Sequence, residues 1–279
     1  MDRLLVCCLV FGILLIEDLH ALNINETIDV EKLAQRVMAP AQQTRVIGGH
    51  LTTNEKLGGY LVALKYHGSF ICGGTLIRDI FVLTAAHCFE NRGMKEGWTV
   101  IGGISKLSET GVRRWVKTII KSAEFRMDSM HMDVAVMLLN RPMVGKGIGK
   151  LSLCSTPLSP GKLLVVSGWG MVSPDASGPD QLLRTVTVPV VEKSYCRKVY
   201  QTAATISDSM FCASVLGKKD ACTYDSGGPL VFNKEVCGIV SFGIGCASPL
   251  YPGVYTDVHY VKPFIEKCMK VMLSRRPRY

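Results

Sequence analysis

The sequence predicts an all-β domain of the sandwich or barrel kind. Three observations carry this. Beyond residue 46 the chain is a succession of short apolar or β-branched runs. Gly, Pro and Asn punctuate those runs, as they do tight turns between strands. Helical spacing is confined to one stretch, about 261–273, near the C-terminus. Composition agrees. With 48% hydrophobic and only 20% charged residues, plus 27 Gly and 12 Pro, the chain is ordered and rich in turns. Its 279 residues suffice for one large domain or two small ones.

Taken in order, the chain opens on "MDRLLVCCLVFGILLIEDLHA". Arg3, an apolar run over residues 4–16 and the small Ala21 form a secretory signal pattern over 1–21. The run is shorter than the roughly 20 residues that span a bilayer. The acidic pair Glu17 and Asp18 blurs the cut, and an uncleaved anchor is the competing reading. No later stretch is long and apolar enough to span, so no membrane partner is expected.

Residues 22–45 lack cysteine and β-branched patterning, and carry one glycosylation sequon at Asn25–Glu26–Thr27. They end in "QQTR", after which "VIGG" begins. A basic residue before a small apolar stretch and two glycines suggests processing between Arg45 and Val46; an ordinary linker is the alternative. The strand-like runs follow: "YLVALKYH", "SFICGGTLI", "FVLTAAHC", "WVKTIIKSA", "DVAVMLLN", "KLLVVSGWG", "LLRTVTVPVV" and "VCGIVSFGIGC".

Eleven cysteines are present, of which Cys7 and Cys8 would leave with the signal. The other nine lack paired CxxC spacing, so no metal site is expected; in an exported chain they read as disulfides with one left over. Residues 46–279 hold 28 basic and 17 acidic side chains, a net charge of +11. Such a surface favours acidic partners or substrates. The charges are scattered along the sequence apart from the tail "SRRPRY", so an ordinary solvated basic surface is the preferred reading, and nothing has the pattern of a nucleic-acid binder.

Three residues carry candidate chemistry. Ser226 lies in "DACTYDSGGPL", where Gly227 and Gly228 allow close backbone approach to a nucleophile. The same residues could make a polar turn. His87 in "VLTAAHC" is the candidate base. The other histidines, His20, His50, His67, His131 and His259, have no comparable setting. Asp133 heads the apolar run "MDVAVMLL", and a carboxylate entering a buried strand needs a partner. That partner is either a catalytic histidine or the backbone amides of a strand start.

The order His87, Asp133, Ser226, together with "RVIGG", "LTAAHC", "SGWG", "IVSFGIGC" and "PGVYTDV", resembles the trypsin-like serine proteases from residue 46 to about 270. The resemblance implies two packed antiparallel β-barrels (trypsin-like) with a C-terminal helix, the active site lying between them. It implies an order of signal peptide 1–21, activation propeptide 22–45 and protease domain 46–279. His87 would take the proton from Ser226, Asp133 would hold the imidazole, and the amides of Tyr224 and Ser226 would form the oxyanion hole. Cutting after Arg45 would free the amino group of Val46 to pair with Asp225. Asp220 would sit at the pocket floor and select Arg or Lys, with Ser241, Gly243 and Gly253 also in the substrate pocket. Cys72 would pair with Cys88, Cys196 with Cys212 and Cys222 with Cys246; Cys154, Cys237 and Cys268 are left without an assigned partner.

The resemblance also implies a secreted monomer with no cofactor and no calcium loop. Its partners would be Arg/Lys-containing protein substrates, an activating trypsin-like protease and macromolecular protease inhibitors. Two positions depart from the family pattern. Tyr224 stands where glycine is usual, and its side chain would restrict the oxyanion amide and crowd the leaving-group side. Phe242 stands where tryptophan is common. Tyr224 keeps a second function open, a weakly active or inactive binding protein on the same scaffold.

Overall fold

The computed structural model describes residues 48–93, 95–171 and 178–274. The expected signal and propeptide, with Arg45 and Val46, lie outside the described residues. Among the described residues there are fourteen strands, twelve of which form two closed antiparallel barrels. In the first, β2 (Leu61–Tyr66), β3 (Ser69–Arg78), β4 (Phe81–Thr84), β5 (Trp98–Gly102), β6 (Val112–Lys121) and β7 (Ala135–Leu139) close in the order β2-β3-β4-β7-β6-β5.

The second ring runs β9 (Leu163–Gly168), β10 (Arg184–Val191), β11 (Met210–Ala213), β14 (Gly253–Asp257), β13 (Glu235–Phe242) and β12 (Pro229–Phe232), and β12 returns to β9. Two short strands add to it: β1 (His50–Leu51) on β10, and β8 (Ser152–Leu153), parallel, on β13. Closing both sheets removes the exposed edges that would otherwise pair with other chains.

The strands read as uninterrupted apolar runs because many are covered on both faces. All residues of β4, β5, β7 and β11 are buried. One core runs through both barrels, from Leu61, Val82 and Val136 in the first to Val166, Leu230 and Ile239 in the second. A C-terminal helix over Val258–Ser274 closes it, packing against β7, β13 and β14 through Val261, Ile265 and Met272. That helix begins three residues before the expected stretch. Among the described residues, no helix is long and apolar enough to cross a membrane.

Among the described residues two further helices precede it, so the expectation that only the C-terminal stretch is helical is corrected. The first, α1, is the single turn Asn54–Leu57. The second, α2, spans Lys193–Tyr200, and the C-terminal helix is therefore α3. Helix α2 buries only Cys196 and Tyr200, four residues apart on one face, too narrow a stripe to announce itself. The run "FVLTAAHC" is also not one strand: β4 stops at Thr84, and His87 begins a 3-10 turn, His87–Phe89.

Disulfides join Cys72 to Cys88, Cys196 to Cys212 and Cys222 to Cys246. A fourth joins Cys154 to Cys237, tying the segment between the barrels to β13. Cys268 on α3 is the free thiol, buried in the core.

Candidate active site

The Cys72–Cys88 bridge ties the turn that carries His87 to β3. From this turn, the His87 backbone amide donates to Oδ1 of Asp133 at 2.9 Å, and Nδ1 of the ring meets Oδ2 at 2.8 Å. Asp133 is fully buried, and the His87 side chain is 15% exposed. Ser241 Oγ, from β13 of the other barrel, donates to the same Oδ2 at 2.6 Å. Thr256 Oγ1, from β14, donates to the Asp133 carbonyl at 2.9 Å. A buried carboxylate needs such donors, and the two barrels each supply some. Burial disfavours an imidazolium at His87, but the charge and hydrogen bond of Asp133 outweigh it and hold the pKa above its ordinary value.

Ser226 reaches this cluster through its backbone. Gly73 in β3 donates to the Ser226 carbonyl at 2.9 Å. Thr84 Oγ1 donates to the Gly73 carbonyl at 2.9 Å. The next residue, Gly227, has φ +75 and lies against Thr84 and Ala85, so any side chain there would collide with the segment leading to His87. Only glycine allows so close an approach of the serine loop to the histidine turn.

The serine opens onto a cavity of about 280 Å³. Asp220 is 2% exposed and lines it together with Ser241, Gly243 and Gly253. A side chain at Gly253 would strike the Asp220 carboxylate. Tyr255 Oη and the Ala221 amide both donate to Asp220 Oδ1, at 3.2 and 2.9 Å. Burial still pushes the Asp220 carboxyl up to about 7. This raised carboxyl lines the cavity without a cationic partner among the described residues. The Cys222–Cys246 bridge spans the cavity wall.

Asp225 is 1% exposed, and its carboxylate lies against Gly168 and Gly170. Its Oδ1 accepts from Gly170 at 2.8 Å and its Oδ2 from Cys222 at 2.9 Å. Side chains at Gly168 or Gly170 would overlap this carboxylate. Burial pushes it up to about 6, so it too lacks a full counter-charge among the described residues.

Between Cys222 and Asp225 the chain makes a turn closed by the Asp225 amide on the Cys222 carbonyl at 3.0 Å, with Tyr224 at φ +74. A positive φ at the third residue alone is the type II geometry, in which glycine is the usual occupant. Tyr224 therefore keeps the backbone shape of a glycine. The side-chain network of Thr84, Tyr255 and Thr256 was not singled out from the sequence, although the last two lie within "PGVYTDV". The two clusters with ligand-like spacing among the described residues, Cys72–His87–Cys88 and Cys154–Glu235–Cys237, use cysteines that are oxidised to disulfides and so offer no thiolate to a metal.

The comparisons with known proteins agree with this architecture. The Trypsin family matches residues 46–265. The chain is 69% identical over 275 residues to Seminase of Drosophila melanogaster, covering 99% of each. It is 34% identical over 233 residues to the vitellin-degrading protease of Bombyx mori, covering 82% of this chain and 87% of that one. Among solved structures, mouse neuropsin, a serine protease expressed in the limbic system of the brain, superposes with a TM-score of 0.72 at 28% identity. That match covers 79% of this chain and 98% of neuropsin. The chain belongs to the trypsin family and is a trypsin-like serine endopeptidase.

Proposed function

We propose that the protein is a secreted endopeptidase, made as a zymogen with a signal over 1–21 and a propeptide over 22–45, that cleaves after Arg or Lys. The observation that carries the specificity is Asp220, buried and without a cationic partner among the described residues in the cavity that Ser226 also lines. An arginine or lysine side chain would supply the missing charge, and its scissile carbonyl would then lie beside Ser226.

His87, held by Asp133, takes the Ser226 proton as Oγ attacks that carbonyl. The raised basicity of His87 supports this step and the later donation of the proton to the leaving amine. The oxyanion is received by the amides of Tyr224 and Ser226. Water, activated by the same imidazole, releases the acyl group. Cleavage after Arg45 starts the cycle: the freed Val46 ammonium pairs with Asp225 and fixes the turn that carries Tyr224. Substrates are proteins or peptides with Arg or Lys at the cleaved bond. An activating trypsin-like protease is required, and macromolecular inhibitors are expected partners. The left-handed backbone at Tyr224 supports a working oxyanion turn and so speaks against a binding protein without activity.

The test is direct. The proform is cut at Arg45 and assayed on Arg, Lys and Phe chromogenic peptides beside a Ser226→Ala control. Serine-dependent turnover of the Arg and Lys peptides is expected. No such turnover would reject the enzyme assignment for these residues, and preference for Phe would reject the role of Asp220.

A further inference from the structure

The fold brings Arg141 to three cations that already lie close together in the sequence, Arg113, Arg114 and Lys117. Strand β6 presents alternate side chains outward, and Arg113, Trp115 and Lys117 are all exposed. Trp115 is 56% exposed, the most exposed aromatic side chain among the described residues. Its backbone is paired in both directions with Asn140, which places Arg141 at the same edge. Arg114 reaches the same corner, its Nε donating to the Pro142 carbonyl at 2.7 Å.

Four cations thus surround one exposed indole, and none of them is in an ion pair with a described carboxylate, whereas nearby Lys121 and Lys150 are paired with Glu90 and Asp79. Desolvation first, and then the charge of Arg141, hold Arg114 below its usual range, so the two guanidinium groups lie close enough to repel. Unneutralised crowding of this kind favours a bound anion.

We propose that this strip of β6 is an exosite for a sulfated polysaccharide. The strip follows an extended strand with a bulge between Val116 and Thr118, so Arg113 and Lys117 stand at most about 13 Å apart along it. That suits a linear chain with repeating charges better than a folded acidic partner, which would need a pocket for side chains. Guanidinium forks match sulfate oxygens bidentately. The exposed indole offers an apolar face on which the C–H face of a sugar ring can lie. A net charge of +11 over residues 46–279 adds long-range attraction. The strip is separate from the cavity at Ser226, so it would localise the enzyme without occupying its substrate pocket.

The experiment uses the full chain carrying Ser226→Ala, which prevents self-digestion, on a heparin biosensor over a range of salt. A triple variant, Arg113→Ser/Trp115→Ala/Lys117→Ser, is compared with a tail variant, Arg275→Ser/Arg276→Ser/Arg278→Ser, with folding checked by circular dichroism. The β6 variant should weaken heparin binding by about tenfold or more at 0.15 M salt and lower the salt slope by about one per cation removed. Trp115→Ala alone should weaken heparin but not polyglutamate. In an active background the β6 variant should leave turnover of small peptides unchanged. Unchanged heparin affinity in the β6 variant, loss only in the tail variant, or equal binding of desulfated heparin or polyglutamate would each overturn the proposal.

Discussion

The Asp225 amide closes on the Cys222 carbonyl at 3.0 Å and encloses Tyr224 at φ +74. A type I turn would satisfy the same hydrogen bond with φ near −90 at that position, which any residue adopts. The two turns differ by a flip of the peptide that carries the Tyr224 N–H. Holding tyrosine in the left-handed region costs on the order of 1–2 kcal/mol. The turn stands in the left-handed form, and this strain narrows its advantage over the flipped form, in which the amide would turn away from the proposed oxyanion position.

A graded series at this position tests the idea. Tyr224→Gly should raise kcat/KM by up to about tenfold, the equivalent of about 1.4 kcal/mol. Tyr224→Asn, which tolerates the left-handed region, should fall between, and the β-branched Tyr224→Val should be slower than the parent. If Asn and Val behave alike, side-chain size governs and backbone strain does not.

The second prediction concerns the shared oxygen of Asp133. Its Oδ2 meets both His87 Nδ1 and Ser241 Oγ. Ser241→Ala removes one donor, leaves the carboxylate less satisfied and strengthens its pull on the imidazolium. The kinetic pKa of His87 should rise, and kcat/KM near neutral pH should fall by about tenfold. Asp133→Asn should cost about 10⁴-fold in kcat, since the amide favours the wrong tautomer. A pH–rate profile separates the two: an unmoved acid limb in Ser241→Ala would show that Ser241 acts only on the substrate.

Much of this was legible because closed barrels with apolar interiors leave long β-branched runs, such as those of β3 and β10. Strands β5, β11, β12 and β14 were not, for they are only four or five residues long and take their stability from neighbours on both sides. Helix α2 escaped for the complementary reason, its buried face being just Cys196 and Tyr200. At the site, Ser226, His87 and Asp133 stand out by motif. The contact of Ser241 with Asp133 spans 108 residues and depends on the register by which β13 and β14 meet the first barrel. No local pattern encodes that register. The Cys154–Cys237 bridge, closing 83 residues, was hidden in the same way.

Asp220 gives a pH-dependent prediction with a definite sign. Its carboxyl is pushed up to about 7 by burial, from an ordinary 3.8. A cationic ligand binds the ionised form, so the inhibition constant of benzamidine should rise about tenfold per pH unit once pH falls below 7. The same shift makes the ligand-free fold hold its proton more tightly than the unfolded chain does. Stability is therefore lost as pH rises from about 4 to about 7. Asp220→Asn should raise the melting temperature at pH 8, leave it unchanged at pH 4, and abolish benzamidine binding. A benzamidine constant that stays flat between pH 5 and 8 would show that the carboxylate is already ionised in the free enzyme.

Asp225 connects the same physics to activation. Its carboxyl is pushed up to about 6 by burial, held only by the amides of Cys222 and Gly170. The ammonium of a new N-terminus at Val46 would lower that pKa, so insertion releases a proton whenever Asp225 starts out protonated. Chain cut at Arg45 should therefore be fully active at pH 8. Below about pH 6 the proton competes with the ammonium, and the active fraction should fall. Asp225→Asn removes the charge while keeping the acceptor for Gly170, and the cut variant should remain at the activity of the uncut proform at every pH. Reaction of the Val46 amine with cyanate reads the step without turnover: the amine should be protected at pH 8 in the parent and exposed in the variant. Equal protection in the two would mean that the N-terminus docks elsewhere, and the Tyr224 turn would then need another cause for its ordering.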